Sequence, residues 1–301
     1  MNQVKNKSGF WYHVAAFAMI LVWGVSFLNT RVLLDSGLTP TEIFVARFTI
    51  AYLSLLVISG FKVKYTGWRD ELLFVVCGIA GGSAYFIAEN TALKLTLISD
   101  VAVLVSTAPL TTALMGAIFY RDERISLLSC VGMIIAFVGS VMLALKHGLV
   151  WGDSIVGDML AVLAAVVWAF YSMALKKLNR TYTTLFITRK LFFYGIMSAL
   201  PLLAMEDSQV QWETIKRPEV WGNLLYLGLV CSMAAYFIWG ITVKRIGAVR
   251  ASNYFYLSPI ISMIAAAIWF GERTTAIAYV GCVLILTGVV MAEKFKRKQV
   301  A

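Results

Sequence analysis

Apolar runs of about twenty residues alternate with short polar joins along almost the whole of this chain. Ten such runs can be marked: Trp11–Leu34, Pro40–Ser59, Leu72–Leu93, Val101–Phe119, Ile125–Leu145, Ile155–Leu175, Thr181–Leu203, Val220–Val243, Ala251–Phe270 and Thr274–Met291. Each is near the roughly 20 residues that a helix needs to cross a bilayer, and too long for an ordinary strand. The joins are rich in Gly, Pro, Asp and Lys, and the longest is Ala204–Glu219. The pattern predicts an all-α integral membrane protein of ten transmembrane helices, with no loop able to hold a soluble catalytic domain. Lys5 and Lys7 precede the first run as in a signal peptide, but no small-residue cleavage site follows, so an uncleaved first span is expected.

Composition supports the same class. Of the 301 residues, 60% are hydrophobic and 14% charged, and the mean hydropathy is +0.80; a soluble domain carries roughly a quarter charged residues. The net charge of +10 invites a nucleic-acid partner, but the distribution of the charges points to orientation instead. With both termini inside, seventeen Lys and Arg residues fall on the inner side and six on the outer, the other three of the 26 lying within spans. That positive-inside bias predicts a multi-pass cell-membrane protein with cytoplasmic termini and no nucleic-acid partner. The basic tail Lys294–Lys298 reads as an anchor at anionic headgroups. Cys77, Cys130, Cys231 and Cys282 lie in spans without a C-x-x-C pair, and His13 and His147 sit at span ends. No metal cluster, no phosphate-binding loop and no cofactor is expected from these residues.

The chain also repeats itself. Trp23 and Arg31 are echoed by Trp168 and Lys176, and Phe44-x-x-Arg47 by Phe186-x-x-Arg189. Ala84-Tyr85-Phe86-Ile87 recurs as Ala235-Tyr236-Phe237-Ile238, Pro109 as Pro259, and Glu123-Arg124 as Glu272-Arg273. Gly132 and Gly139 are matched by Gly281 and Gly288. Two halves follow, 11–146 and 154–293, with five spans each. An odd number of spans makes the second half enter the membrane from the opposite side, and such inverted repeats are a known basis of alternating access. Pro109 and Pro259 fall mid-span, where each removes a donor and is expected to free the carbonyl four residues back, at Val105 and Phe255. A substrate site and a packing kink are both consistent with these breaks.

Trp23-Gly24 with Phe27 and Arg31, Ala92-Leu93-Lys94, Pro109, Asp122-Glu123-Arg124, Pro259, Gly271-Glu272-Arg273 and Gly281-x6-Gly288 together resemble the drug/metabolite transporter superfamily, specifically its EamA-type members. The resemblance runs from about Trp11 to Met291 and is carried by the combination rather than by any one motif. It implies a carrier of small metabolites, many family members exporting amino acids; the sequence itself leaves the oligomeric state open, a homodimer included. The first half has Asp122 where the second has Gly271.

Candidate chemistry lies inside the spans. Glu123 and Glu272 precede the fifth and tenth runs and suit helix N-termini. Arg47 and Arg189 are on the order of 10 Å deep in equivalent spans, facing the interior or snorkelling. Lys190, on another face, is expected to snorkel to headgroups. Glu89 lies in the outer third of its span at a depth similar to Arg47, which makes a Glu89–Arg47 pair possible. Its alternatives are proton coupling, binding a cationic amine, or facing the headgroups. Asn90, Trp23, Tyr85, Tyr236, Trp239, Asn253 and Tyr256 complete the substrate-binding candidates, Trp168 pairs plausibly with Trp23, and aromatic packing is the plainer reading for each ring. A secondary transporter is the reading preferred over a channel-like facilitator, or over an intramembrane enzyme or lipid-handling protein, which would need a catalytic cluster that two isolated histidines do not make.

Overall fold

A backbone in hydrocarbon must satisfy its own hydrogen bonds, so long apolar runs become helices. In the computed structural model, which describes residues 2–60, 65–120, 126–144, 155–206, 212–270 and 275–294, all regular structure is helical. The helices are α1 (Asn2–Asp35), α2 (Pro40–Ser59), α3 (Trp68–Leu95), α4 (98–119), α5 (Leu127–Ala144), α6 (Ile155–Leu178), α7 (Thr184–Met205), α8 (Pro218–Ile246), α9 (248–270) and α10 (Ala276–Lys294), with a short surface turn at Trp212–Lys216. Among the described residues, seven of these are long and apolar enough to cross a membrane, and shorter apolar helices run over Leu127–Met142 and Ala276–Ala292. The expected starts of the third and eighth segments shift outward, to Trp68 and Pro218. Short polar joins set these limits. Thr39 caps α2, accepting from the Glu42 backbone while the Glu42 carboxylate accepts from the Thr39 backbone, a box contributing about 1 kcal/mol. The Glu-Arg pairs at 123–124 and 272–273, Asp122, Gly271, His147 and the basic tail beyond Lys294 lie outside the described residues.

Two kinds of interruption recur in both halves. Both prolines start a new helical turn after a break. Pro109 lies in the first turn of Ala108–Phe119, after a helix ending at Val105, and Pro259 in the first turn of Ser258–Phe270, after the 3-10 turn Tyr254–Leu257. Local groups satisfy the broken backbone: Ser106 and Thr107 hydroxyls donate to the Val103 and Leu104 carbonyls. The expectation that Phe255 carries a freed carbonyl is corrected, because the Ser258 N–H reaches it in the 3-10 turn. The second interruption has no signal in hydrophobic periodicity. α3 widens into a π-turn at Ile79–Ser83 and α8 into a longer one at Tyr226–Ala234, each running directly into the repeated Ala-Tyr-Phe-Ile. A widened turn displaces the ladder of backbone hydrogen bonds, and such turns concentrate at functional sites.

Packing partners correspond between the halves. α1 packs on α8 and α9, as α6 packs on α3 and α4; α2 packs on α8, as α7 packs on α3; α2 meets α7, and α5 meets α10. The last crossing explains the repeated glycines. A Cβ at Gly139 would lie 2.6 Å from the Gly281 carbonyl oxygen, and one at Gly288 would lie 2.4 Å from the Ala136 nitrogen. Backbones touch here, a contact that small residues permit between membrane helices.

Candidate functional site

The spans place aromatic rings at the centre. Trp23 (α1) and its repeat mate Trp168 (α6) meet edge to face at 5.6 Å, as expected. Trp239 and Phe255 complete the cluster, at 5.2 and 5.8 Å from Trp23. Such pairs contribute beyond their area, and Trp23, Trp168 and Phe255 help to wall a small cavity of about 20 Å³, room for about one water. Its lining comes from α1 (Ile20, Trp23, Ser26, Phe27), α3 (Tyr85, Phe86, Glu89), α4 (Val105), α6 (Trp168), α8 (Tyr236) and α9 (Phe255, Ser258). These are corresponding helices of the two halves.

Glu89 is the one ionisable carboxylate in that wall, 5% exposed, and its Oε1 accepts from the Tyr85 hydroxyl at 2.6 Å. The spacing is i to i+4 on one helix face, so α3 itself positions donor and acceptor. Glu89 therefore faces the protein interior, not the headgroups. Arg47 lies close by but forms no ion pair with it. The guanidinium Nε donates to Ser232 in the π-turn of α8 at 3.0 Å, its carbon sits 4.2 Å from the centre of the Phe86 ring, and one terminal nitrogen has no partner. The direct Glu89–Arg47 pair is thus corrected: Phe86, a wall of the cavity, occupies the ground beside Arg47. Tyr236, the mate of Tyr85, sends its hydroxyl across to the Gly81 carbonyl at 2.6 Å.

The other candidates divide. Trp23, Tyr85 and Tyr236 line the cavity, and Trp239 packs behind Trp23. Asn90, Asn253 and Tyr256 are buried outside its lining. Asn90 holds the start of α2, donating to the Pro40 carbonyl at 3.1 Å, while Asn253 Oδ1 and the Tyr256 hydroxyl are buried without a partner. Arg189 sits at the end of α2, donating to the Ser59 hydroxyl and the Gly60 carbonyl at 3.2 and 2.9 Å, where a cation suits a helix C-terminus. Lys190 does not snorkel. It is 7% exposed and forms an ion pair with Glu71, which also accepts from Tyr194 and Thr66. A buried ammonium needs such a partner, and Glu71 supplies it because α3 begins earlier than its apolar run. Between α6 and α7, the bond from Tyr182 to Asp70 pushes the Tyr182 phenol above its ordinary value.

Four contributors were not singled out from the sequence: Phe86, Ile20, Ser26 and Ser258. Weak signals existed for three of them. Phe86 belongs to the repeated frame, Ser26 is one turn from Trp23, and Ser258 adjoins Pro259. Among the described residues, no group of three or more metal-ligating side chains occurs.

A family model described as the EamA-like transporter family matches residues 10–145 and again 155–293. The chain is 28% identical to a probable terminal-alkyne amino-acid exporter of Streptantibioticus cattleyicolor over 284 residues, covering 93% of each. It is 24% identical over 295 residues to a probable amino-acid metabolite efflux pump of Escherichia coli, covering 92% of each. A solved crystal structure superposes with a TM-score of 0.74 at 19% identity, over 98% of this chain and 99% of that one, a likeness of fold. With two family matches, apolar helices and a central cavity walled by both halves, the chain belongs to the EamA-like transporter family and is a multi-pass membrane transporter of the drug/metabolite type.

Proposed function

We propose that this protein is a secondary transporter that exports small amino-acid-like metabolites across the cell membrane by alternating access. The observation that carries the reading is a buried carboxylate, Glu89, in a small central cavity whose wall draws on corresponding helices of both halves. An ionisable group held at a centre shared by both halves suits a carrier, which presents one site to each side in turn. In this reading ten spans form two five-helix halves, 11–146 and 154–293, inverted about an axis in the membrane plane, with both termini cytoplasmic. The matched order of repeats and the exchange of packing partners support that arrangement. α5 against α10 and α2 against α7 lie on or beside the axis, because each pairs a helix with its own mate. Exchanging the conformations of the halves then opens the cavity to the other side.

Cargo class and direction are supported by the names of two relatives, both amino-acid-related exporters. Reconstitution into liposomes preloaded with a panel of amino acids and metabolites tests the proposal. Saturable counterflow of one of them is expected. Linear, non-saturating flux would make the protein a channel, and chemical conversion of the solute would make it an enzyme.

A further inference from the structure

Arg47 is buried more deeply than Glu89, at 1% exposure, and its surroundings do not account for its charge. A guanidinium offers five donors in a rigid fork. Here Nε is taken by the Ser232 hydroxyl, one face rests on Phe86, and one terminal nitrogen is buried with no acceptor. Among the described residues no carboxylate lies within ion-pair distance of it. Placing a cation inside a membrane protein without a counter-ion is costly, and such residues mark binding sites more often than packing. Glu89 lines the cavity: Oε1 accepts from Tyr85, and Oε2 accepts no hydrogen bond from the protein. Arg47 thus has an unmet donor and rests on the Phe86 ring, and Glu89 presents its carboxylate to the cavity that Phe86 also lines.

Resting on the transporter reading above, we infer that Arg47 is the second pole of the recognition site, taking the carboxylate of a zwitterionic cargo whose ammonium group is taken by Glu89. The Phe86 ring is the movable wall beside Arg47, and Trp23, Trp168 and Phe255 receive the apolar body of the cargo. A zwitterion completes both charges at once. A cargo with only one charge leaves either Arg47 or Glu89 buried and unpaired, so the site selects by rejecting amides, esters and simple acids. Phe86 must move for this to happen, since the cavity has room for about one water and Arg47, stacked on the ring, is not in its lining. Arg189, at the matching position of the second half, spends its fork on the end of α2 and carries no such role.

Three probes test the assignment on the purified full chain: L-phenylalanine, L-phenylalaninamide, which lacks the carboxylate, and 3-phenylpropionate, which lacks the ammonium group. Binding and counterflow are measured for each. Wild type is expected to favour phenylalanine over either analogue by about tenfold or more, the size of one lost charge-assisted hydrogen bond. Arg47→Lys should shrink the preference over the amide and keep the preference over 3-phenylpropionate; Glu89→Gln should do the reverse. Ser232→Ala removes the tether of Arg47 and should leave the preference over the amide in place. Equal binding of phenylalanine and its amide by wild type overturns the role of Arg47, and this comparison stands even if Arg47→Lys does not fold. A uniform loss for all three probes in Arg47→Lys, or its reproduction by Ser232→Ala, makes Arg47 a structural tether. If none of the three probes binds, the zwitterion assignment falls, while counterflow of any other solute in the wider panel keeps the transporter reading.

Discussion

α3 and α8 are built from one plan and diverge after the shared Ala-Tyr-Phe-Ile. Each begins as an ordinary helix, widens into a π-turn, and resumes at Ala-Tyr-Phe-Ile. Four residues past its tyrosine, α3 carries Glu89 and α8 carries Gly240. The carboxylate of Glu89 faces the cavity. Gly240 instead receives the join between α6 and α7: Thr184 Cγ2 would lie 2.4 Å from a Cβ there, and the Asn179 side chain donates to the Gly240 carbonyl at 3.1 Å. The asymmetry therefore has two sides. One half keeps a chemical group and the other gives the same position to close packing. Under the proposed alternating access, like scaffolds would exchange conformations while an asymmetric cargo would call for recognition chemistry on one copy.

The largest expected effect comes from forcing the two copies to match. Gly240→Glu puts a bulky carboxylate against Thr184 at a buried position. Overpacking costs about 1–3 kcal/mol, and an uncompensated buried charge about 3–5 kcal/mol. The variant should lose most of its folded yield and its melting temperature in detergent should fall sharply. A normal melting temperature would show that the α6–α7 join does not rest on α8 as described. The comparison variant, Gly288→Leu, attacks the crossing of α5 and α10, where a side chain would strike the Ala136 backbone. Its cost should be at or above the same 1–3 kcal/mol overpacking range, seen as a lower melting temperature.

Glu89→Gln is the opposite case, because the amide keeps the shape and still accepts from Tyr85. Folding should be retained while transport falls roughly tenfold or loses its pH dependence, the size expected when one charged contact to cargo or proton is removed. Transport unchanged from wild type between pH 5 and 8 would remove Glu89 from the mechanism.

What the sequence made legible follows from what each signal measures. Hydrophobic runs report burial in lipid, so the helical segments were readable along with the repeat of Trp23, Trp168 and the glycines. Hydrophobicity does not report backbone hydrogen bonding, and the π-turns at Ile79–Ser83 and Tyr226–Ala234 were invisible to it. Depth along a span put Glu89 and Arg47 at one level. Depth is silent about rotation: Arg47 turns to Ser232 and the Phe86 ring, Glu89 to Tyr85, and the two form no ion pair. Lys190 shows the same gap: counted as a lone cation near a membrane edge it should snorkel, but Glu71 was excluded from the span by the apolar window that defined it. Asn90 and Asn253 were chosen because buried amides need partners. For Asn90 the amide nitrogen finds the Pro40 carbonyl, while its Oδ1, like that of Asn253, is buried without a partner.

The smallest effects separate the two repeated tyrosines. Tyr85 and Tyr236 occupy matching positions and each hydroxyl makes a bond of 2.6 Å, but one acceptor is the Glu89 carboxylate and the other the Gly81 carbonyl in the π-turn of the opposite half. Tyr85→Phe takes a donor from a group that faces the cavity. It should weaken transport about three- to tenfold while shifting the melting temperature little, since the carboxylate can turn to water or cargo. Tyr236→Phe leaves a backbone carbonyl buried beside the Tyr171 ring with its cross-half donor gone. The cost of about 1–2 kcal/mol falls on stability, and it appears as a lower melting temperature with the substrate affinity of the folded fraction preserved. Both variants need only a melting curve and a counterflow assay. If the two tyrosines respond alike in both measurements, the division of labour between α3 and α8 does not extend beyond residues 89 and 240.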